Sequence, residues 1–551
     1  MAAPPTSRGS RGELLISACL IVRDEEADLP RCLAALRGVV DEVVVHDTGS
    51  TDRTIEIARR HGATVIEGSW EDDFGAARNV ALAACRGEWI LHVDADEELL
   101  AEPSALRGAL GSQELAGADA LLVTVENLDD AGAVDVRHKS CRIFRRSAGR
   151  WQGRIHEQVV STTDAPLRPA VLDGIAIRHH GYTTAHRAGR GKPARNLDLA
   201  TTALREAEAA DAARAHLDLA RSLAAAGRHE EALEHCQTAR ALPASDAARA
   251  WIHRFGAEVC LTLGQPEAAR AWVADLRALG LGSRVADLLD GTALLMLGRG
   301  DEALELFDGI GDAWDRTGIT VPEHLIRQRR GLALAATGDH VAAAAELLAV
   351  VRERPAAPVW GQLAVSALHS SGATSVQAIT AAVPEEHLRA VVLQLLLAPT
   401  DAAEAVGQVL WAERGADPRL LGFAVHHAAR LDTARALEWS ARLRAFGLES
   451  HCPLVARAED AAVDSVERVL AAAVAHGTFG DDRARQALCA AAPGVATDQL
   501  TDVLSLLDQL SPSLLAPFVL AAACDPSRAA AVADSLDALG AVEQAQLLRS
   551  V

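Results

Sequence analysis

Aromatic residues are scarce in this 551-residue chain, which has one Tyr, eight Phe and nine Trp. Alanine and leucine dominate instead, a bias that favours helices. Paired CxxC cysteines are absent, and the nine cysteines are scattered and odd in number. This speaks against a zinc ribbon or a disulfide framework and fits small core residues in a reducing compartment. No long basic tract occurs. Lys and Arg total 54 against 75 Asp and Glu, a formal net charge of −21, a poor match to nonspecific nucleic-acid binding. Residues 358–384 lack Asp, Glu, Lys and Arg, but they include His, Gln, Gly, Ser and Thr, so they read as buried helices and not as a membrane span. Leu14–Val22 is apolar and follows Arg8 and Arg11, yet no small-residue cleavage site follows; Arg23-Asp24-Glu25-Glu26 comes at once. It reads as a first buried strand, not a signal peptide. A cytoplasmic location is expected, with residues 1–12 as a disordered tail.

Two regions follow different patterns. Residues 13–125 alternate strands and helices: strand 14–22, helix 29–37, strand 42–46, helix 51–61 with a Ser50/Thr51 capping signal, strand 64–66, helix 74–85 after Asp72 and Asp73, strand 89–93 and strand 120–125. This order predicts a mostly parallel sheet with helices on both faces, whose ligands bind at the carboxyl ends of the strands. Asp24, Asp47, Asp94 and Asp96 fall at such ends. Residues 135–182 carry shorter β-like runs rich in His and Arg, which read as added strands completing the site. From Asn196 onward the pattern is helical. Glycine turns at Gly227, Gly264, Gly298 and Gly338 recur within a similar phrase at a spacing near that of tetratricopeptide repeats. The expected organisation is an α/β domain over 13–195, tetratricopeptide-like repeats over 196–354 and degenerate repeats over 355–551. Such a solenoid presents a curved face to a peptide or another subunit.

The segment EWILHVDADEEL, residues 88–99, is the most informative stretch. Its apolar run ends in Asp94-Ala95-Asp96. Alternate residues of an extended chain point the same way, so the two carboxylates can converge on one point. A hard cation such as Mg²⁺ suits them, binding through one or two carboxylates plus substrate phosphates.

ISACLIVRDEEADLPRCLAAL, VVVHDTGSTDRT, FGAARNVALAACRGEWILHVDADEEL, RIHEQ and HHGY followed by KPARNLDL occur in this order. Together they resemble family-2 glycosyltransferases of the GT-A fold, over about residues 13–205. More narrowly they are similar in layout to bacterial peptide S-glycosyltransferases of the sublancin-modifying type, which join this domain to tetratricopeptide-like helices. The resemblance implies a nucleotide-diphosphate sugar as donor, most readily a UDP-sugar, and Mg²⁺ or Mn²⁺. It assigns Asp47 to the nucleobase or ribose; a turn Asp bonding its own backbone is the alternative. Asp52 either braces the following helix or touches ligand. The family has Asn where this chain has Asp24, so the backbone of Val22 and Arg23 is the other candidate contact there. Arg78, beside Asn79, would face the nucleotide-sugar, unless it is a surface residue of an amphipathic helix. Asp96 would bind metal directly, and Asp94 the ribose or a metal-bound water. His179 would complete the metal site, with His180 as a second candidate. Glu157 would be the base that takes the acceptor proton, or else a strand-end carboxylate paired with Arg154. Lys192, Arg195 and Asn196 would bind phosphate or start the first solenoid helix.

Processive polysaccharide synthases of this superfamily carry QxxRW. Here Arg150-Trp151 follows Ser147 at the Gln position, so a single transfer is expected. The leading expectation is a metal-dependent, inverting glycosyltransferase whose helices recognise an acceptor, form a homodimer, or do both. A peptide Cys, Ser or Thr is the favoured acceptor. A lipid-linked sugar or small metabolite is the rival acceptor, and a non-catalytic helical scaffold with a vestigial transferase domain is the rival of another class.

Overall fold

The computed structural model describes residues 15–129, 132, 134–180, 192–281, 283–311 and 320–550. The chain divides into two compact units, one ending at Ala333 and one starting at Leu334. The first begins with strand β1 (Ile16–Val22), helix α1 (Leu29–Leu36), β2 (Glu42–Asp47), α2 (Thr54–Arg60), β3 (Thr64–Glu67), α3 (Phe74–Ala84) and β4 (Trp89–His92). The alternation expected from the sequence is therefore present. After β4 come β5 (Glu97–Leu100), α4 (Pro103–Leu110), β6 (Ala120–Leu128), β7 (Val134–Arg145), β8 (Gly149–Gln152), β9 (Gln158–Ser161) and β10 (Pro169–His179).

Eight strands form one sheet in the order β3-β2-β1-β4-β7-β6-β10-β5, and β8 pairs with β9 as a separate ribbon. β1, β2, β3 and β4 run parallel, as does the β6–β10 pair; β7 and β5 enter antiparallel. The late strands thus extend the sheet beyond β4 and carry His179 to the strand ends where Asp94 and Asp96 lie. The reason for the parallel half is visible in its residues. Ile16, Ala18, Leu20, Trp89 and Leu91 are fully buried, as strands covered on both faces require. Their core includes Leu29, Leu33 and Leu36 of α1.

The helical part of this unit opens with α5 (Lys192–Glu206) and α6 (Ala212–Ala225) and continues in antiparallel pairs such as Asp246–Thr262 with Pro266–Ala278. Gly227, Gly264 and Gly298 sit between paired helices with φ of 78°, 70° and 73°, where a side chain would be strained. That explains the recurrence of glycine in the sequence. The second unit is also helical, with its own core around Trp360, Phe423, Trp439 and Phe518. Among the described residues no helix is long and apolar enough to cross a membrane.

Leu91 lies at 0% exposure in the centre of the sheet. Leu91→Ala is expected to destabilise the first unit by roughly 2–5 kcal/mol, read from urea unfolding.

Candidate active site

A cleft of about 590 Å³ opens at the carboxyl ends of β1 and β4. Its lining includes Val22, Arg23, Asp24 and Thr48, the aromatic pair Trp70 and Phe74, then Arg78, Asp94, Ala95, Asp96, His179 and Arg195. Of the residues singled out in the sequence, Val22, Arg23, Asp24, Arg78, Asp94, Asp96, His179 and Arg195 meet here, though drawn from segments far apart in the chain, whereas Asp47 and Glu157 do not line the cleft.

The β1 end is tied to the β2 end. Asp24 has φ of 53°, a conformation that Asp tolerates better than most residues. Its Oδ1 accepts from the Thr51 N–H at 2.7 Å and the Thr51 hydroxyl at 3.1 Å, while its own N–H donates to Ser50 Oγ. Ser50 and Thr51 therefore do not cap α2, which starts three residues later than expected at Thr54. Their side chains serve the loop instead. Asp52 braces the helix: its Oδ1 accepts from Thr54 N and its Oδ2 from Glu26 N. Asp47 is buried; its Oδ1 accepts from the N–H groups of Gly49 and Ser50 at 2.9 and 2.8 Å, while Oδ2 has no hydrogen-bond partner among the described residues.

Arg78 is the hub. Asp73 caps α3 by accepting from Ala76 N, and Arg78 follows one turn on. Its Nε donates to Glu157 Oε1 at 2.5 Å and its Nη2 to Asp94 Oδ1 at 2.9 Å. The guanidinium lies 5.2 Å from the Trp151 ring centroid. Burial works against its charge, but Asp94 and Glu157 outweigh that and hold its pKa above the ordinary value. Asn79 locks the same ribbon by exchanging two hydrogen bonds with the Trp151 backbone, each 2.9 Å. α3 also meets the turn before Glu157 directly: Phe74 N donates to Arg154 O and Gly75 N to Gly153 O. A Cβ on Gly75 would lie 2.8 Å from that oxygen, which accounts for glycine there.

Asp94 is set by a second network that the sequence did not reveal. Glu97 is fully buried, although in sequence it reads as an acidic strand end. Its Oε2 accepts from Asp94 N at 2.9 Å, and Arg142 grips both of its oxygens at 3.1 and 2.7 Å. Burial raises the Glu97 carboxyl despite Arg142. Arg142 also donates to His92 Nδ1 at 3.1 Å. Burial and Arg78 push His92 down to about 4, so its ring is neutral near pH 7. The proton then sits on Nε2, which donates to Asp94 Oδ1 at 3.3 Å. Burial works to raise the Asp94 carboxyl, but Arg78, His92 and Arg142 prevail and hold it well below the usual carboxylate range. His92 precedes Asp94 by two residues, the spacing at which side chains of an extended chain point the same way, but Arg142 lies on another strand and no spacing rule links it to Asp94.

Asp96 Oδ2 and His179 Nε2 are 3.4 Å apart. Asn127 Oδ1 sits 3.2 Å from His179 Nδ1, its partner across the β6–β10 pairing. Donation from Nδ1 to Asn127 points the other ring nitrogen at Asp96. Burial works against the His179 cation, yet Asp96, Glu97 and Asp94 raise its pKa above the ordinary value. His180 faces elsewhere, with its Nε2 3.3 Å from Glu98 Oε2. Among the described residues no group of three or more His, Cys, Asp or Glu side chains could hold a metal ion; Asp96 and His179 supply two.

Glu157 precedes β9 and is mostly buried, held by Arg78 and not by Arg154, which pairs with Glu206 of α5 at 2.6 Å. Arg195 lies over Phe74, 5.4 Å from its centroid, and Asn196 follows within α5. The side chain of Lys192 and the residues Gly181 and Tyr182 lie outside the described residues.

Residues 17–172 match the family model described as glycosyl transferase family 2. The expectation of a glycosyltransferase domain at the N-terminus is borne out by that match. A TPR repeat-containing protein of Synechococcus elongatus is 44% identical over 176 residues, spanning 30% of this chain and 42% of that protein. The SPbeta prophage-derived glycosyltransferase SunS of Bacillus subtilis is 25% identical, spanning 34% of this chain and 45% of that one. The chain thus spans under half the length of either relative. Glucosyl-3-phosphoglycerate synthase of Mycobacterium tuberculosis, solved with Mn²⁺, uridine diphosphate and glucosyl-3-phosphoglycerate, is 25% identical; the match covers 20% of this chain and 44% of that one, with a TM-score of 0.18.

Removing Arg142 would strand Glu97 in the interior. Arg142→Met is expected to lower stability by about 3 kcal/mol, measured by chemical denaturation.

Proposed function

We propose that the cleft binds a nucleotide-diphosphate sugar and transfers its sugar, with inversion, to an acceptor side chain, for which a peptide Cys, Ser or Thr is the favoured class. The observation that carries the reading is the convergence of Arg78, Asp94, Asp96 and His179 on one cleft, with Glu157 bonded to Arg78, in a domain matching the glycosyl transferase family 2 model.

Asp47 suits the nucleoside: Oδ1 closes the turn, and the unpartnered Oδ2 can accept an imide or hydroxyl hydrogen. Val22 and Arg23 line the cleft, as does Thr48, the residue after Asp47, whose N–H donates to the Val22 carbonyl. Asp96 and His179 fit a divalent cation, because a carboxylate oxygen and an imidazole nitrogen meet there while Asn127 holds the far ring nitrogen. These two residues would hold the ion, with Asp94 beside them, and the rest of its shell would come from water and diphosphate oxygens. When bound, such an ion stabilises the departing diphosphate.

Glu157 is the base. It accepts the proton of the acceptor hydroxyl or thiol as the acceptor atom attacks the anomeric carbon. Arg78 orients that carboxylate through Nε and holds Asp94 through Nη2, so one side chain sets the distance between the acceptor and donor sides. A thiol acceptor would lean on the base less, because a Cys near pKa 8.5 is already partly ionised.

A panel of UDP-, GDP- and dTDP-sugars with Mn²⁺ or Mg²⁺ tests the reading. One donor is expected to release free nucleotide, and Asp96→Ala is expected to abolish release. Failure of every nucleotide to bind in the presence of metal would overturn it. Glu157→Gln should keep donor affinity while lowering turnover by about 10²–10⁴-fold.

A further inference from the structure

The segment that delivers Glu157 is held from outside the sheet domain. Arg154 pairs through Nε and Nη2 with Glu206 of α5 at 2.6 and 3.2 Å. Ile155 is 5% exposed and belongs to the helical core, together with Leu199 of α5 and Leu217 of α6. His156 has φ of 51°, an unfavourable conformation for a non-glycine residue that persists only where its surroundings impose it. The His156 carbonyl accepts from Arg214 Nη2 of α6 at 2.6 Å. Arg214 is in turn steered by Asp218, one turn further along α6, at 3.4 Å. Burial pushes the Asp218 carboxyl up to about 6 against the pull of Arg214 and Arg221. Three consecutive residues are thus fastened to α5 and α6, and the fourth, Glu157, meets Arg78 of the sheet domain.

We propose that α5 and α6 act as part of the catalytic apparatus, with Arg214 as a positioning residue that holds the His156 carbonyl and so aims Glu157. The proposal rests on the reading of Glu157 as the base. It goes beyond that reading by making the first helices a component of the base and not only a platform for an acceptor. A domain cut at residue 195 would keep the nucleotide pocket residues of β1, β2 and β4 and lose the brace.

The test uses the full chain and Arg214→Ala, with Arg214→Lys and Glu206→Gln as milder variants should the first fail to fold. Hydrogen exchange is read at residues 153–158. Faster exchange there, with β1 and β4 protected as in the parent, is expected; unchanged exchange in every folded variant overturns the proposal. Turnover is then measured as nucleotide release from the UDP-, GDP- and dTDP-sugar panel with Mn²⁺. Arg214→Ala should lower it by about 100-fold, the scale of a small misplacement of a reacting group, with donor KM unchanged. In a Glu157→Gln background the same substitution should cost nothing further, because Arg214 acts through Glu157. Additive losses overturn the positioning role. If Glu157→Gln leaves turnover intact, the base assignment fails, and the exchange result still decides whether Arg214 holds the turn.

Discussion

The buried guanidinium of Arg78 is the contact on which the site depends. One cation sits between two carboxylates, Asp94 from the end of β4 and Glu157 from the turn before β9. Without it, two negative charges would face each other in a partly buried space, at a cost that rises as the local dielectric falls. With it, the β4 end and the β8–β9 ribbon are held at one separation. Asn79 and Gly75 reinforce this from the same helix, so α3 works as a ruler between the two halves of the cleft.

The sequence made the parallel half of the fold legible because its strands are short apolar runs separated by turns, and periodicity reads those directly. It also exposed most cleft residues, because carboxylates at strand ends stand out against apolar neighbours. It hid the supports. Glu97 looks like surface charge beside Glu98, yet it is buried under Arg142, which lies on β7 and reaches Asp94 only through the sheet order β4-β7. Asn127 and Arg214 were equally silent, since their roles come from pairings made across long stretches of chain. Ser50 and Thr51 misled because their hydroxyls can cap a helix or tie a loop, and only the neighbouring Asp24 decides which.

The helical region reads as repeats because a glycine with positive φ follows the first helix of successive pairs, at Gly227, Gly264, Gly298 and Gly338. Its first two helices have a further duty. Their core accepts Ile155 and packs against Trp70 and Phe74 from the β3–α3 side, so the aromatic wall of the cleft leans on helices that the chain contributes about 130 residues later.

β10 carries one more consequence. Between Val171 and Ala176 it uses five steps where β6 uses two, and the pairing resumes with His179 opposite Asn127. Side chains alternate along a strand, so the parity of that irregular stretch selects which of two adjacent histidines looks into the cleft. The bulge therefore acts as a phase switch. Deleting or inserting a single residue within 172–175 would turn the tandem His179-His180 over as a unit, exchanging their outlooks without altering either side chain. The chemical identity of this edge of the cleft is thus stored as a count of residues in a stretch that never touches it.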